Sequence, residues 1–141
     1  MTLPDSLTFI GDFAFHDCQR LTNVMLPSSI ASIGIFAFAS CDLRNMTIPN
    51  SVTSIGVYAF HDCTRLTNIA IPNSVTSIPN GTFSHCGLTS ITIPDSVTSI
   101  GEGAFAGCIG LANKLGLVIV RNTLFDYVGA AKDVIIPDTV I

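Results

Sequence analysis

The sequence predicts a chain wound into short stacked coils, with short parallel strands on one side and turns on the other. Three observations carry that prediction. The same order of residues recurs five times along 141 residues, at alternating spacings of 23 and 22, and self-similarity at such a period marks a repeat array. Length varies at one place only: Leu21, Leu66 and Leu111 stand three residues after a Cys, whereas Leu43 and Leu88 stand two after. A deletion confined to one spot implies a loop there and rigid structure elsewhere. The chain is 48% hydrophobic and only 11% charged, so it can bury a large core. A single coil has too few apolar side chains to offset its own ordering entropy, and stacking is what makes the arrangement stable.

Each element follows from the repeat unit. Copies read L-x-x-I-x-I-P-x-S-V, as in "LTNVMLPSSI" from Leu21, "LRNMTIPNSV" from Leu43, "LTNIAIPNSV" from Leu66 and "LTSITIPDSV" from Leu88. Alternation from the fourth to the sixth position predicts a short strand, with Val24 and Leu26 inward and Asn23 and Met25 outward. Pro27, Pro49, Pro72 and Pro94 end it, because proline cannot donate to a ladder. The return limb, IGxxAFxxC, carries Ala, Phe and Cys at helix-like spacing, which predicts a helical turn or 3-10 segment. The apolar residues Ile10, Ile33, Ile55, Ile78 and Ile100 precede Phe15, Phe38, Phe60, Phe83 and Phe105 by five, and Cys18, Cys41, Cys63, Cys86 and Cys108 follow them by three. A period in the low twenties is that of leucine-rich repeats. The predicted class is therefore an α/β leucine-rich-repeat solenoid, with short parallel strands on the concave face and turns or 3-10 segments on the convex face.

The segment "IPNSVTSIGVYAFHDC" at Ile48 to Cys63 and its four siblings resemble the BspA type of leucine-rich repeat, found on surface proteins of anaerobic bacteria and mucosal protists. The resemblance covers residues 1 to about 113. It implies a curved solenoid, display at the cell surface or secretion as part of a longer chain, and binding of a host or extracellular-matrix protein.

Residues 1–113 are read as five such repeats. From Lys114 to Lys132 the pattern fails, and "GLVIVRNTLFDYVG" predicts a β-hairpin within a degenerate repeat: strands at Leu117 to Val120 and Leu124 to Val128, with a turn near Arg121-Asn122-Thr123. Residues 133–141, "DVIIPDTVI", begin a further truncated repeat at Ile136-Pro137. Neither end carries a capping segment with a polar outer face, which solenoids need. The expectation is a slice of a longer solenoid; the alternative is a complete small protein that covers its ends by end-to-end self-association. Met1 is followed at once by repeat sequence, with no leader visible. Either the chain stays inside the cell or a leader has been removed.

The net charge of −4 and six scattered Lys and Arg residues argue against nucleic acid and against an anionic membrane surface. No apolar run reaches the length of a span, so direct membrane insertion is not expected. Five cysteines invite a metal or disulfide reading. The period instead stacks them as a buried column of small hydrophobes, and the close Cys-x-x-Cys pair typical of metal sites is missing. His16, His61 and His85 lie beside that column as solvated turn residues, with Asp17 and Asp62 facing water or capping the turn. Ser29, Ser51, Ser74 and Ser96 are expected to bond the backbone of neighbouring coils, since a buried hydroxyl needs a partner. No catalytic, cofactor-binding or metal-binding set converges, so no enzyme activity and no cofactor are expected. Asn45-Met46-Thr47 and Asn80-Gly81-Thr82 are glycosylation sequons that matter only on a eukaryotic secretory route.

Stacking turns the outward strand positions into stripes. One holds Asn23, Asn45, Asn68 and Ser90, the next Met25, Thr47, Ala70 and Thr92, and the margin Thr22, Arg44, Thr67 and Thr89. From these, Asn23, Met25, Arg44, Asn45, Thr47, Thr67, Asn68, Ala70, Ser90 and Thr92 form the expected partner-binding face. These mostly small, neutral side chains suit broad, shallow contact with a protein or a glycan. A second, apolar patch is expected at Phe13, Ile35, Phe36, Val57 and Tyr58, because a position that accepts both an aromatic and glycine, as at Gly81 and Gly103, lies at the surface; the alternative is partial burial against the neighbouring turn. The functional expectation is a non-enzymatic protein-binding module within a larger cell-surface adhesin. The alternative is a structural spacer or accessory segment with no ligand of its own.

Overall fold

In a computed structural model, residues 1–112 are described in full, together with the backbone of 117–120 and 123–127. Nine strands occur among them: β1 Phe9–Ile10, β2 Ser32–Ile33, β3 Ser54–Ile55, β4 Asn68–Ala70, β5 Ser77–Ile78, β6 Ser90–Thr92, β7 Ser99–Ile100, β8 Leu117–Val120 and β9 Thr123–Tyr127. The first seven are parallel and pair at a register of one repeat. Ile10 lies beside Ile33 and Ile33 beside Ile55, Ile78 beside Ile100, and Asn68, Ile69 and Ala70 beside Ser90, Ile91 and Thr92. Single bridges join Thr2 to Met25, Asn23 to Asn45, and Asn45 to Asn68. Neighbouring coils are therefore joined along two lines, the second of them interrupted between β3 and β5, which do not pair. One is the expected Asn line. The other, at the Ser-Ile pairs, was not anticipated, because a two-residue strand is too short to show a period.

The return limb divides its backbone donors between two uses. Alternate N–H groups cross to the next coil: Phe13 to Ile35 O, Phe15 to Ala37 O and Asp17 to Ala39 O, each at 2.8 Å. Those between close local turns, Ala14 to Gly11 O at 3.2 Å, His16 to Phe13 O at 3.1 Å and Cys18 to Phe15 O at 3.2 Å. The same division recurs at Phe36–Cys41 and Tyr58–Cys63 for the crossing bonds. This satisfies a segment that belongs to neither a long helix nor a sheet. It also forces left-handed backbone at two positions per coil: Phe13 and Asp17, Phe36 and Ser40, Tyr58 and Asp62, Gly81 and His85, Gly103 and Gly107. The limb is thus a chain of tight turns, and the one 3-10 segment among the described residues is Ile109–Leu111.

Equivalent residues line up through the stack. Phe15, Phe38, Phe60, Phe83 and Phe105 stack nearly parallel, with ring centroids 5.1, 5.6, 5.4 and 5.7 Å apart. From Phe38 onward they are fully buried, and the inward strand residues Val24, Met46, Ile69 and Ile71 fill the same core. Coils approach so closely that a Cβ on Gly56 would sit 2.4 Å from the carbonyl carbon of Gly34, which accounts for glycine there. Beyond the stack, β8 and β9 pair antiparallel, Leu117 opposite Tyr127 and Val120 opposite Thr123, with an irregularity between Val118 and Ile119. The proposed turn residues Arg121 and Asn122 and the return of the pattern at Ile136-Pro137 lie outside the described residues.

Candidate protein-contact face

Position along the short strands decides which side chains meet solvent. Asn23, Met25, Arg44, Asn45, Thr47, Thr67, Asn68, Ala70, Ser90 and Thr92 are all exposed, while Val24, Met46 and Ile69 between them are buried. The Asn line is continuous, and Ser90 donates its hydroxyl to Asn68 Oδ1 at 3.4 Å. Thr89 N–H donates to Thr67 O at 2.9 Å and Arg44 N–H to Thr22 O at 3.0 Å, so the margin is in register as well.

Two depressions open on this face. One, about 380 Å³, is lined by Asn23, Met25, Leu26, Asn45, Thr47 and Pro49, with Val24 and Met46 at its floor. The other, about 400 Å³, is lined by Arg44, Asn45, Arg65 and Thr67. Arg65 is absent from the residues expected on the face. It stands in the variable Cys-to-Leu loop, where the strand alternation gives no guide, and its Nε meets Asp42 Oδ1 at 2.8 Å.

The aromatic stripe divides between the two expectations for it. Phe13 is 56% exposed, but Phe36 and Tyr58 are half-buried. Their rings stack on one another at 5.3 and 5.0 Å, nearly parallel. At this position φ is +51° to +62° in every coil, a region that bulky residues rarely adopt and glycine takes readily, which suits Gly81 and Gly103. Gly81 is itself buried, beneath the Tyr58 ring, 2.0 Å from where its Cβ would stand. Ile35 and Val57 flank the stripe and are exposed.

Three further expectations meet the structure in detail. The five cysteines are free thiols and form a column. Cys41, Cys63, Cys86 and Cys108 donate to the carbonyls of Phe15, Phe38, Phe60 and Phe83 at 3.0–3.2 Å, each in the preceding coil. Burial pushes the Cys41 thiol up to about 12, helped by the nearby Cys63, and raises Cys86 well above its ordinary value. Ser29, Ser74 and Ser96 bond Leu7 O, Val52 O and Val75 O of the neighbouring coil at 2.6, 2.5 and 3.0 Å. Ser51 breaks that ladder; its buried hydroxyl has no partner.

His16 and His85 are exposed, whereas His61 is half-buried, contrary to the expectation of a solvated turn residue. His61 packs edge-on to Phe36 and Tyr58. Its Nδ1 lies 2.7 Å from Ser84 Oγ, which is also 2.9 Å from Gly81 O. Asp17 is exposed and accepts from Gln19 Nε2 at 2.8 Å. Among the described residues no group of three His, Cys, Asp or Glu side chains is placed to hold a metal, and no helix is long and apolar enough to cross a membrane.

The family model of the BspA type leucine rich repeat region matches residues 1–112 in six copies. Three solved structures are similar to the chain. The leucine-rich-repeat protein TpLRR of T. pallidum is 38% identical with a TM-score of 0.75, over 79% of this chain and 53% of that one. A leucine-rich repeat protein from Bacteroides ovatus ATCC 8483 is 38% identical with a TM-score of 0.79, over 98% and 37%. A leucine rich cell surface protein from Faecalibacterium prausnitzii A2-165 is 32% identical with a TM-score of 0.56, over 79% and 39%. The chain spans about half or less of the length of these relatives. No curated protein matches it.

Proposed function

Because the chain belongs to the BspA-type leucine-rich repeat family, we propose that it is a non-enzymatic protein-binding module within a larger cell-surface adhesin. The observation that carries this reading is the Asn face: ten exposed residues on four coils, held in register by cross-coil hydrogen bonds. In this reading the stack is a curved solenoid and the Asn face is its concave side. The ligand is a host or extracellular-matrix protein. Contact is by surface complementarity over several coils, with no covalent step. A rigid array loses little conformational entropy on binding, which favours affinity from a shallow surface. The likeness to a leucine rich cell surface protein supports display outside the cell.

The test is capture of proteins from mucosal extract and from a panel of matrix proteins by the immobilised chain. Alanine at Asn45, Thr47, Thr67, Asn68 and Thr92 together is expected to abolish capture while leaving the fold intact, since all five side chains are exposed. Capture unchanged by these substitutions overturns the assignment and favours a spacer.

A further inference from the structure

We propose that the part of the Asn face around Asn45 recognises an extended peptide that carries an acidic side chain close to a large apolar one. This rests on the reading of that face as a protein-contact surface and adds the chemistry of what it takes. Two adjoining depressions of about 400 and 380 Å³ share Asn45 as their common wall. One is basic and the other is apolar, and no other residue lines both.

Arg44 and Arg65 line the basic depression. Arg65 Nε meets Asp42 Oδ1 at 2.8 Å, and the Arg65 side chain stays 56% exposed. Arg44 is exposed, and its guanidinium makes no hydrogen bond or ion pair among the described residues. Two planar forks beside one depression suit a carboxylate, which takes paired N–H donors. The neighbouring depression presents Met25, 69% exposed, with Leu26, Met46 and Pro49 around it. Thioether side chains re-pack readily around apolar ligands. Asn45, between the two, offers an amide that can donate and accept, as main-chain N–H and C=O groups require. A peptide lying across the two coils thus meets guanidinium, amide and thioether in succession. With Asp42 beside Arg65, the two arginines still leave a net positive charge here, on a chain that is acidic at −4 as a whole, and this favours an acidic segment at this place.

The test is selection of a random phage-displayed peptide library on the whole chain, followed by fluorescence anisotropy of the enriched peptides. Enriched peptides are expected to combine Asp or Glu with Leu, Ile, Met or Phe. The Arg44→Ser, Arg65→Ser double variant is expected to weaken them about tenfold or more, and Met25→Ser to weaken them without changing the salt dependence. Arg44→Glu with Arg65→Glu is expected to switch the enriched charge from acidic to basic, which loss of folding cannot mimic. If peptides lost on Asn45 and Asn68 substitution show no acidic bias and ignore both arginines, this inference fails while the contact face stands. If the face holds no peptide and protein capture also survives its substitution, both readings fail. Arginine-dependent binding of a heparin-derived oligosaccharide in place of any peptide overturns the peptide assignment.

Discussion

Cys86 Sγ donates a hydrogen bond to the carbonyl oxygen of Phe60, 3.0 Å away and 26 residues earlier in the chain. The contact ties two columns together, because Phe60 and Cys86 each belong to a series repeated in every coil. It also requires the protonated thiol. The folded pKa of Cys41 is raised to about 12 by desolvation first, and Cys86 is raised for the same reason. The thiol contribution is complete below the unfolded value near 9 and is lost as pH climbs through the folded value. Stability should therefore fall as pH rises from about 9 towards about 12, the window set by Cys41, and Cys86 acts in the same direction. Urea midpoints measured from pH 8 to pH 11 check this; a flat profile contradicts it. Alkylation at pH 8 should mark the half-buried Cys18 before the other four.

The Phe column sets the cost of core loss. Phe60 is fully buried between Phe38 and Phe83. Phe60→Ala should cost about 3–5 kcal/mol, read as a drop in the denaturation midpoint. A cost near that of a surface substitution would show that neighbouring coils do not rest on this ring.

At Phe36 the usual ranking of alanine over glycine should invert. The residue sits at φ +51°, and left-handed backbone costs a non-glycine residue about 1–2 kcal/mol. Stacking against Phe13 and Tyr58 returns about 0.5–1.5 kcal/mol per pair. Phe36→Gly loses the stacking but relieves the strain; Phe36→Ala loses the stacking and keeps the strain. Calorimetry should place the glycine variant above the alanine one. The opposite order would contradict the backbone assignment. Gly81→Ala, with φ +61° and the Tyr58 ring in the way of its Cβ, should destabilise strongly.

Ser74 and Ser51 occupy the same repeat position with different partners. Ser74→Ala removes a bond to Val52 O and should cost about 1 kcal/mol. Ser51→Ala removes a buried hydroxyl that has no partner and should be neutral or stabilising. Equal costs for the two would indicate that Ser51 is bonded in solution.

Much of this was legible in the sequence, and the reason is periodicity. The columns of Phe, Cys and inward Ile follow from spacing alone, as does the exposure of Asn23, Asn45, Asn68 and Ser90. What escaped were features set by backbone conformation or by single contacts. The Ser32–Ile33 type of ladder is too short to announce itself. The left-handed φ shared by Tyr58 and Gly81, which favours glycine, leaves no mark in the spacing. Arg65 reaches the face from a loop outside the alternation. Ser51 and His61 depend on side-chain geometry that copies of one motif do not share.

The measurement that bears most directly on the whole account is the detection of hydrogen bonds between coils by through-bond NMR scalar coupling. Couplings are expected from Phe38 N to the Ala59 carbonyl and from Phe60 N to the Thr82 carbonyl, bonds of 2.8 and 2.9 Å between residues one repeat apart. Absence of both couplings, with these amides exchanging freely with solvent, would contradict coil-on-coil stacking, and the Asn face would have no frame to hold it.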